Sequence, residues 1–167
     1  MLSEGPTMPD FADPDIEAMA EEVFELSNAS SIARARGAGA STDLSDAEYL
    51  TLETLLKDQP LTVGEIQKRI AVQPAQMSRI LRSLENRPKS YVECRINAQD
   101  RRCVDVTVTA AGKAAHRQFR KVRLGFTAQI LANLPPEDRV QFMRILRRIR
   151  EGIVAQLAAA EAADDGK

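Results

Sequence analysis

From Asp13 onward, the apolar residues Ile16, Met19, Val23, Leu26 and Ala29 recur at helical spacing, with Glu17, Glu21, Glu22 and Glu25 lying mostly between them. The spacing predicts a first helix that fades near Gly37 and Gly39, where backbone freedom is costly to freeze. Residues 1–12 read as a disordered arm before it. Ser45-Asp46-Ala47-Glu48 has the form of a capping box, in which the Ser and Glu side chains satisfy the orphan amides of a helix start. A second helix follows to about Asp58, burying Tyr49, Leu52, Leu55 and Leu56, and Pro60 closes it. Thr62-Val63-Gly64-Glu65 repeats the capping pattern and opens a third helix, Gly64 to about Ala71. Gln73-Pro74 opens a fourth, since proline suits a first helical turn whose amides need no partner. Met77, Ile80, Leu81 and Leu84 form its apolar stripe, Gln73, Gln76, Arg79 and Arg82 its opposite side, and Pro88 ends it.

The period then changes. Tyr91 to Ile96 and Cys103 to Val108 alternate apolar and polar residues and read as two strands, joined by the charged link Asn97 to Arg102. Thr109 can cap a fifth helix running to about Asn133. Pro135-Pro136-Glu137-Asp138 starts a last helix, with carboxylates where the helix dipole favours them. Phe142, Ile145, Leu146, Ile149, Ile153 and Leu157 line one face of it. The expected fold is mainly α with a small β-hairpin, a winged helix-turn-helix core flanked by long dimerisation helices. The divisions read as an arm at 1–12, an N-terminal dimerisation helix and loop at 13–44, the winged core at 45–110, C-terminal dimerisation helices at 111–163 and a frayed tail at 164–167. Dimerisation is expected because one small winged core cannot cover the apolar stripes of both the first and the last helix, and a symmetric partner can.

Composition adds one point of consequence. The net charge is −1, yet residues 1–60 hold three basic residues against thirteen carboxylates, a balance of −10. Residues 61–125 hold fourteen against five, a balance of +9, and residues 126–167 hold six of each. The basic segment coincides with the helix-turn-helix and hairpin, so a nucleic-acid partner is expected there despite an acidic whole. The alternative is that acidic and basic segments pair within the fold. No apolar run approaches the ~20 residues that span a bilayer, and the acidic start lacks the pattern of a signal peptide, so the expected compartment is the cytoplasm with no membrane partner.

The chemistry-bearing residues are few. A single histidine, His116, excludes a His-based metal cage within one chain, and no cofactor is expected. His116 reads as an exposed helical residue, with the lining of an effector pocket as the alternative. Strand parity places Cys94 on the face shared by Val92 and Ile96, and Cys103 on the polar face with Asp105 and Thr107, so the two sulfurs should point to opposite sides. No nucleophile–base pair, phosphate loop or metal motif is present, which reads against an enzyme.

Laid out in this way, the sequence resembles the MarR family of bacterial winged-helix transcription regulators. The likeness is strongest over residues 61–112. Leu61-Thr62, Glu65-Ile66 and Ile70 resemble that family's supporting helix. Pro74, Met77, Ser78, Arg79, Leu84 and Glu85 fall where its recognition helix has similar residues, and Asp100-Arg101-Arg102, Val106 to Thr109 and Gly112 resemble its wing and the start of a long helix. The resemblance implies an obligate dimer with interlocking terminal helices, an operator of two-fold symmetry, and sensitivity to a small aromatic or acidic effector. It also implies that Arg102 enters the minor groove while Asp100 holds the loop. Two features depart from the family pattern. Asn86-Arg87-Pro88-Lys89-Ser90 replaces the usual glycine after the recognition helix, and no cysteine precedes Cys94, so the peroxide-sensing mechanism of one branch does not transfer.

The expected reading is a DNA-binding transcription regulator, a repressor acting as a homodimer on double-stranded DNA. The recognition-helix candidates are Gln73, Ala75, Gln76, Ser78, Arg79 and Arg82. Glutamine can pair with adenine through N6 and N7, and arginine reads guanine O6 and N7 or binds phosphate. Ser78 reads as a phosphate contact or simply a small helical residue. Asp100, Arg101 and Arg102 form the wing, where a narrow minor groove concentrates negative potential. Arg87, Lys89 and Arg95 read as phosphate contacts or as solvated charges. The rival is a winged-helix protein–protein adapter without sequence-specific DNA binding, which the +9 segment disfavours.

Overall fold

The computed structural model describes residues 13–36 and 43–164. The expected arm at 1–12, the glycines Gly37 and Gly39, and tail residues 165–167 lie outside them. The chain divides into two compact units, 1–43 and 44–167, each considered by itself. The first contains α1, Pro14–Ala35. Asp13 starts it by accepting the Asp15 amide on its carboxylate at 3.0 Å. Ile16, Met19, Val23, Phe24, Leu26 and Ile32 are all exposed along this helix.

The second unit runs α2 (Asp46–Lys57), β1 (Leu61–Thr62), α3 (Val63–Ile70), α4 (Pro74–Glu85), β2 (Val92–Ile96), β3 (Val104–Val108), α5 (Ala110–Leu131) and α6 (Pro136–Asp164). The capping boxes read from sequence form as expected. The Ser45 hydroxyl accepts the Glu48 amide while Glu48 accepts the Ser45 amide, and Thr62 and Glu65 exchange the same pair of bonds. The sheet has three antiparallel strands in the order β1-β3-β2. The strand Leu61–Thr62 was not expected from the sequence. Two residues carry no readable alternation, and β1 exists because Leu61 pairs with Val106 across 45 residues of chain.

The core lies where α2, α3, α4 and the sheet meet. Leu52, Leu55, Ile66, Met77, Leu84, Val92 and Val106 are all fully buried there. Each such side chain contributes roughly 1.5–3 kcal/mol on removal from water. The pairs Val92–Val108, Cys94–Val106 and Ile96–Val104 bring the apolar faces of the two strands together. The apolar face runs out toward the hairpin tip, where Ile96 is 70% exposed. Cys94 and Cys103 are both free thiols, and burial pushes the Cys94 thiol up to about 12.

His116 departs from expectation. It is not an exposed helical residue: it is 7% exposed and ties α5 to α2. Its Nε2 lies 2.5 Å from Glu53 Oε2, and its ring stacks on Tyr49 at 4.8 Å with an interplanar angle of 4°. Phe119 stacks on Tyr49 at 4.5 Å, and Arg123 lies over Phe119 while pairing with Asp46 of α2. The α2–α5 contact is thus an aromatic slab with a hydrogen bond to Glu53 at one end and an ion pair to Asp46 at the other. The partner of His116 lies 63 residues away, out of reach of local pattern.

Burial opposes ionisation of Glu53, but hydrogen bonding and charge from His116, with Lys57 and Tyr49 adding, hold its carboxyl below the usual range. A depressed carboxylate stabilises the fold above its unfolded value and loses that contribution as pH falls through its folded value. Glu53→Gln should cost about 1 kcal/mol near neutrality, the usual net scale of a hydrogen bond. Urea midpoints should show the gap from wild type narrowing as pH falls from neutrality through and below the ordinary carboxylate range. A gap that widens over that window would contradict the assignment.

Candidate nucleic-acid interface

The helix-turn-helix is set by how α3 and α4 are ended. Ala71, between them, is left-handed at φ 53°, a conformation that costs a residue with a Cβ roughly 1–2 kcal/mol. Its amide and that of Val72 return to the carbonyls of Lys68 and Gln67, closing α3 so that α4 can leave at an angle. Pro74 then starts α4.

Burial decides which side of α4 faces outward. Met77, Ile80, Leu81 and Leu84 are buried, which leaves Ala75, Gln76, Ser78, Arg79 and Arg82 exposed on the outward side, with Gln73 exposed at the N-cap. Among the described residues, no hydrogen bond or ion pair occupies the side chains of Gln76, Arg79 or Arg82. Two arginines and Gln76 therefore share one helical face with their donors uncommitted, an arrangement able to meet base edges and phosphates.

The wing is built by short polar side chains. Asn97 Oδ1 accepts the amides of Gln99 and Asp100, each at 2.8 Å, while its Nδ2 donates to the Asp105 carboxylate at 2.9 Å. Asp100 accepts the Arg102 amide at 3.0 Å and its Nε at 3.2 Å. Those bonds, side chain first, hold the Asp100 carboxyl below its ordinary value. Arg102, 91% exposed, projects from this turn, and Arg101 beside it is exposed as well. At the base of the wing, Tyr91 donates its amide to Leu84 of α4 and accepts that of Thr109, the cap of α5. Recognition helix, wing and α5 therefore meet at one residue.

The three remaining cations separate. Lys89 is exposed in the linker after α4. Arg95 is exposed on β2 and pairs with Glu93 on the same strand. Arg87 turns inward: its Nη2 lies 2.9 Å from the buried Glu48 carboxylate and its guanidinium sits 5.6 Å over the Tyr91 ring.

Residues 44–104 match the model of the MarR family. Over that segment the chain is similar to the MarR family of winged helix-turn-helix transcription regulators. The chain is 27% identical over 114 residues to the HTH-type transcriptional regulator YdgJ of Bacillus subtilis, a stretch covering 68% of each protein. YusO, also of B. subtilis, superposes with a TM-score of 0.64 at 22% identity, covering 83% of this chain and 94% of that one. BpsR of Bordetella bronchiseptica superposes with a TM-score of 0.58 at 20% identity, covering 79% and 98%. These structural likenesses concern the fold.

Three residues that shape this candidate interface were missed in the sequence: Asn97, Ser83 and Glu48. Asn97 had a signal, an asparagine just past a strand end and three residues before Asp100, which favours a side-chain turn. Glu48 showed only its capping role, because its other partners lie 35 and 39 residues away.

Gly112, in the first turn of α5, keeps the wing base close. A Cβ there would lie 2.1 Å from the Tyr91 carbonyl oxygen and 2.9 Å from Val108 Cγ1, both of which are fixed by the sheet. Gly112→Ala should destabilise by about 1–3 kcal/mol through overpacking. Gly64→Ala should instead stabilise by about 0.4–1 kcal/mol, since nothing lies within 4 Å and the helix is compatible with alanine. Urea denaturation of the two variants should shift the midpoint in opposite directions.

Proposed function

We propose that the protein is a sequence-specific DNA-binding repressor. In this reading it acts in the cytoplasm as a homodimer on a pseudo-palindromic operator. The observation that carries the reading is the uncommitted polar face of α4 beside an exposed arginine wing, within a segment of +9 charge. A recognition helix placed in the major groove brings Gln73, Gln76, Arg79 and Arg82 to base edges, with Ala75 and Ser78 close enough for thymine methyl and phosphate contact. The wing then reaches the adjacent minor groove, where Arg101 and Arg102 answer its negative potential and Asp100 keeps the turn in shape. Lys89 and Arg95 neutralise flanking phosphates.

Dimerisation is supported by the long helices. Ile145, Leu146, Ile149, Ile153 and Leu157 of α6 are exposed, as are the apolar residues of α1. Stripes of this extent on a single chain mark an interaction surface. Two copies related by a two-fold axis repeat α4, which sets half-sites about one helical turn, ~10 base pairs, apart. Release by a small aromatic or acidic effector completes the reading. Regulation of DNA binding by 6-hydroxynicotinic acid is reported for BpsR, which shares the fold.

The test pairs two variants on a duplex selected from a random pool and on random DNA, across several salt concentrations. Arg102→Ala should weaken binding to both and flatten the salt dependence by about 0.9 per lost phosphate contact. Gln76→Ala should relax base preference at a cost of about 1–3 kcal/mol on the selected duplex, with little change on random DNA. If Arg102→Ala leaves affinity and salt slope unchanged, the wing does not touch DNA and a protein-binding adapter becomes the better account. Sedimentation should show a dimer at micromolar concentration; a stable monomer would refute the dimeric operator model.

A further inference from the structure

Glu48 occupies the third position of the α2 capping box, ordinarily a solvated place. Here it is 6% exposed. A buried carboxylate costs several kcal/mol unless its oxygens are answered. The two oxygens divide the work. Oε2 accepts the Ser45 amide at 2.7 Å and caps its own helix. Oε1 accepts the Ser83 hydroxyl at 2.7 Å and Arg87 Nη2 at 2.9 Å, both from the last turn of α4 and the linker beyond it. Burial opposes the charge, yet the Ser45, Ser83 and Arg87 donors outweigh it and hold the carboxyl below its ordinary value.

Arg87 carries the link onward. Its guanidinium covers the Tyr91 ring, and Tyr91 joins Leu84 of α4 to Thr109 at the start of α5. Arg87 Nε is buried without a partner, so the carboxylate and the ring are what hold this cation. The linker containing Arg87 joins α4 to β2, and an ion pair crossing to α2 sets its route.

We propose that Glu48 and Arg87 are positioning residues for DNA binding, a clamp that fixes the end of α4 and the base of the wing without touching DNA. The proposal rests on the DNA-binding reading above and assigns Arg87 inward rather than to phosphate. A clamp and a phosphate contact differ in salt dependence. Losing a phosphate contact lowers the slope of log affinity against log salt by about 0.9, whereas a misplaced reading surface loses affinity with the number of contacts unchanged.

The experiment compares wild type, Arg87→Ala, Glu48→Gln and the double variant on the selected duplex at several salt concentrations, with deuterium uptake of residues 84–91 measured on the free proteins. Each single variant should bind about tenfold more weakly with an unchanged salt slope, and the double variant no more weakly than Arg87→Ala, since two halves of one contact are not additive. Uptake over 84–91 should rise in all three. Glu48→Gln keeps the side-chain shape and carries the test should Arg87→Ala unfold. A slope reduced by about one unit in Arg87→Ala, with Glu48→Gln binding as wild type, would make Arg87 a phosphate contact and overturn the clamp. If wild type selects no duplex, the DNA reading fails by itself; uptake then decides the clamp, supported if it rises and overturned if it does not.

Discussion

Everything presented outward by the winged domain depends on what α4 is obliged to bury. Met77, Ile80, Leu81 and Leu84 must leave water, and they do so against α2, α3 and the sheet. That single requirement selects the rotation of the helix about its own axis. Gln76, Arg79 and Arg82 face outward as a result, because no other face remains for them. The polar face is therefore only as well oriented as the apolar one is well packed.

Around that core, the second unit uses polar contacts between elements distant in sequence to fix what packing alone leaves loose. The α2 helix is the common partner. Through Glu53 and Asp46 it holds α5, and through Glu48 it holds the end of α4. Gln59, just beyond α2, extends the pattern to the sheet: its side-chain oxygen accepts the Val108 amide at 2.9 Å and anchors β3. A helix that contacts no DNA in the proposed mode thus organises the elements that do.

Much of this was legible in the residues. Both capping boxes, the proline starts of α4 and α6, and the period change at Tyr91 are local signals, and the elements follow them within a residue or two. The outward face of α4 was legible because burying one stripe of a helix exposes the other. The features that stayed hidden share one physical character. Leu61 in β1, His116 on Glu53 and Arg87 on Glu48 owe their roles to partners 39 to 63 residues away. A lone histidine and an arginine before proline carry no trace of such partners. The segmental charge count could not tell an arginine aimed at solvent from one aimed at a buried carboxylate.

The turn at Ala71 is made by an unwilling residue. Where glycine would act as a free hinge, an alanine held left-handed behaves as a wound spring. The angle between α3 and α4 is then no local preference of the turn. It is imposed by the packed core on both sides, and it relaxes as soon as that packing yields. The outward face of α4 consequently keeps its orientation only while the core that holds Ala71 left-handed stays packed.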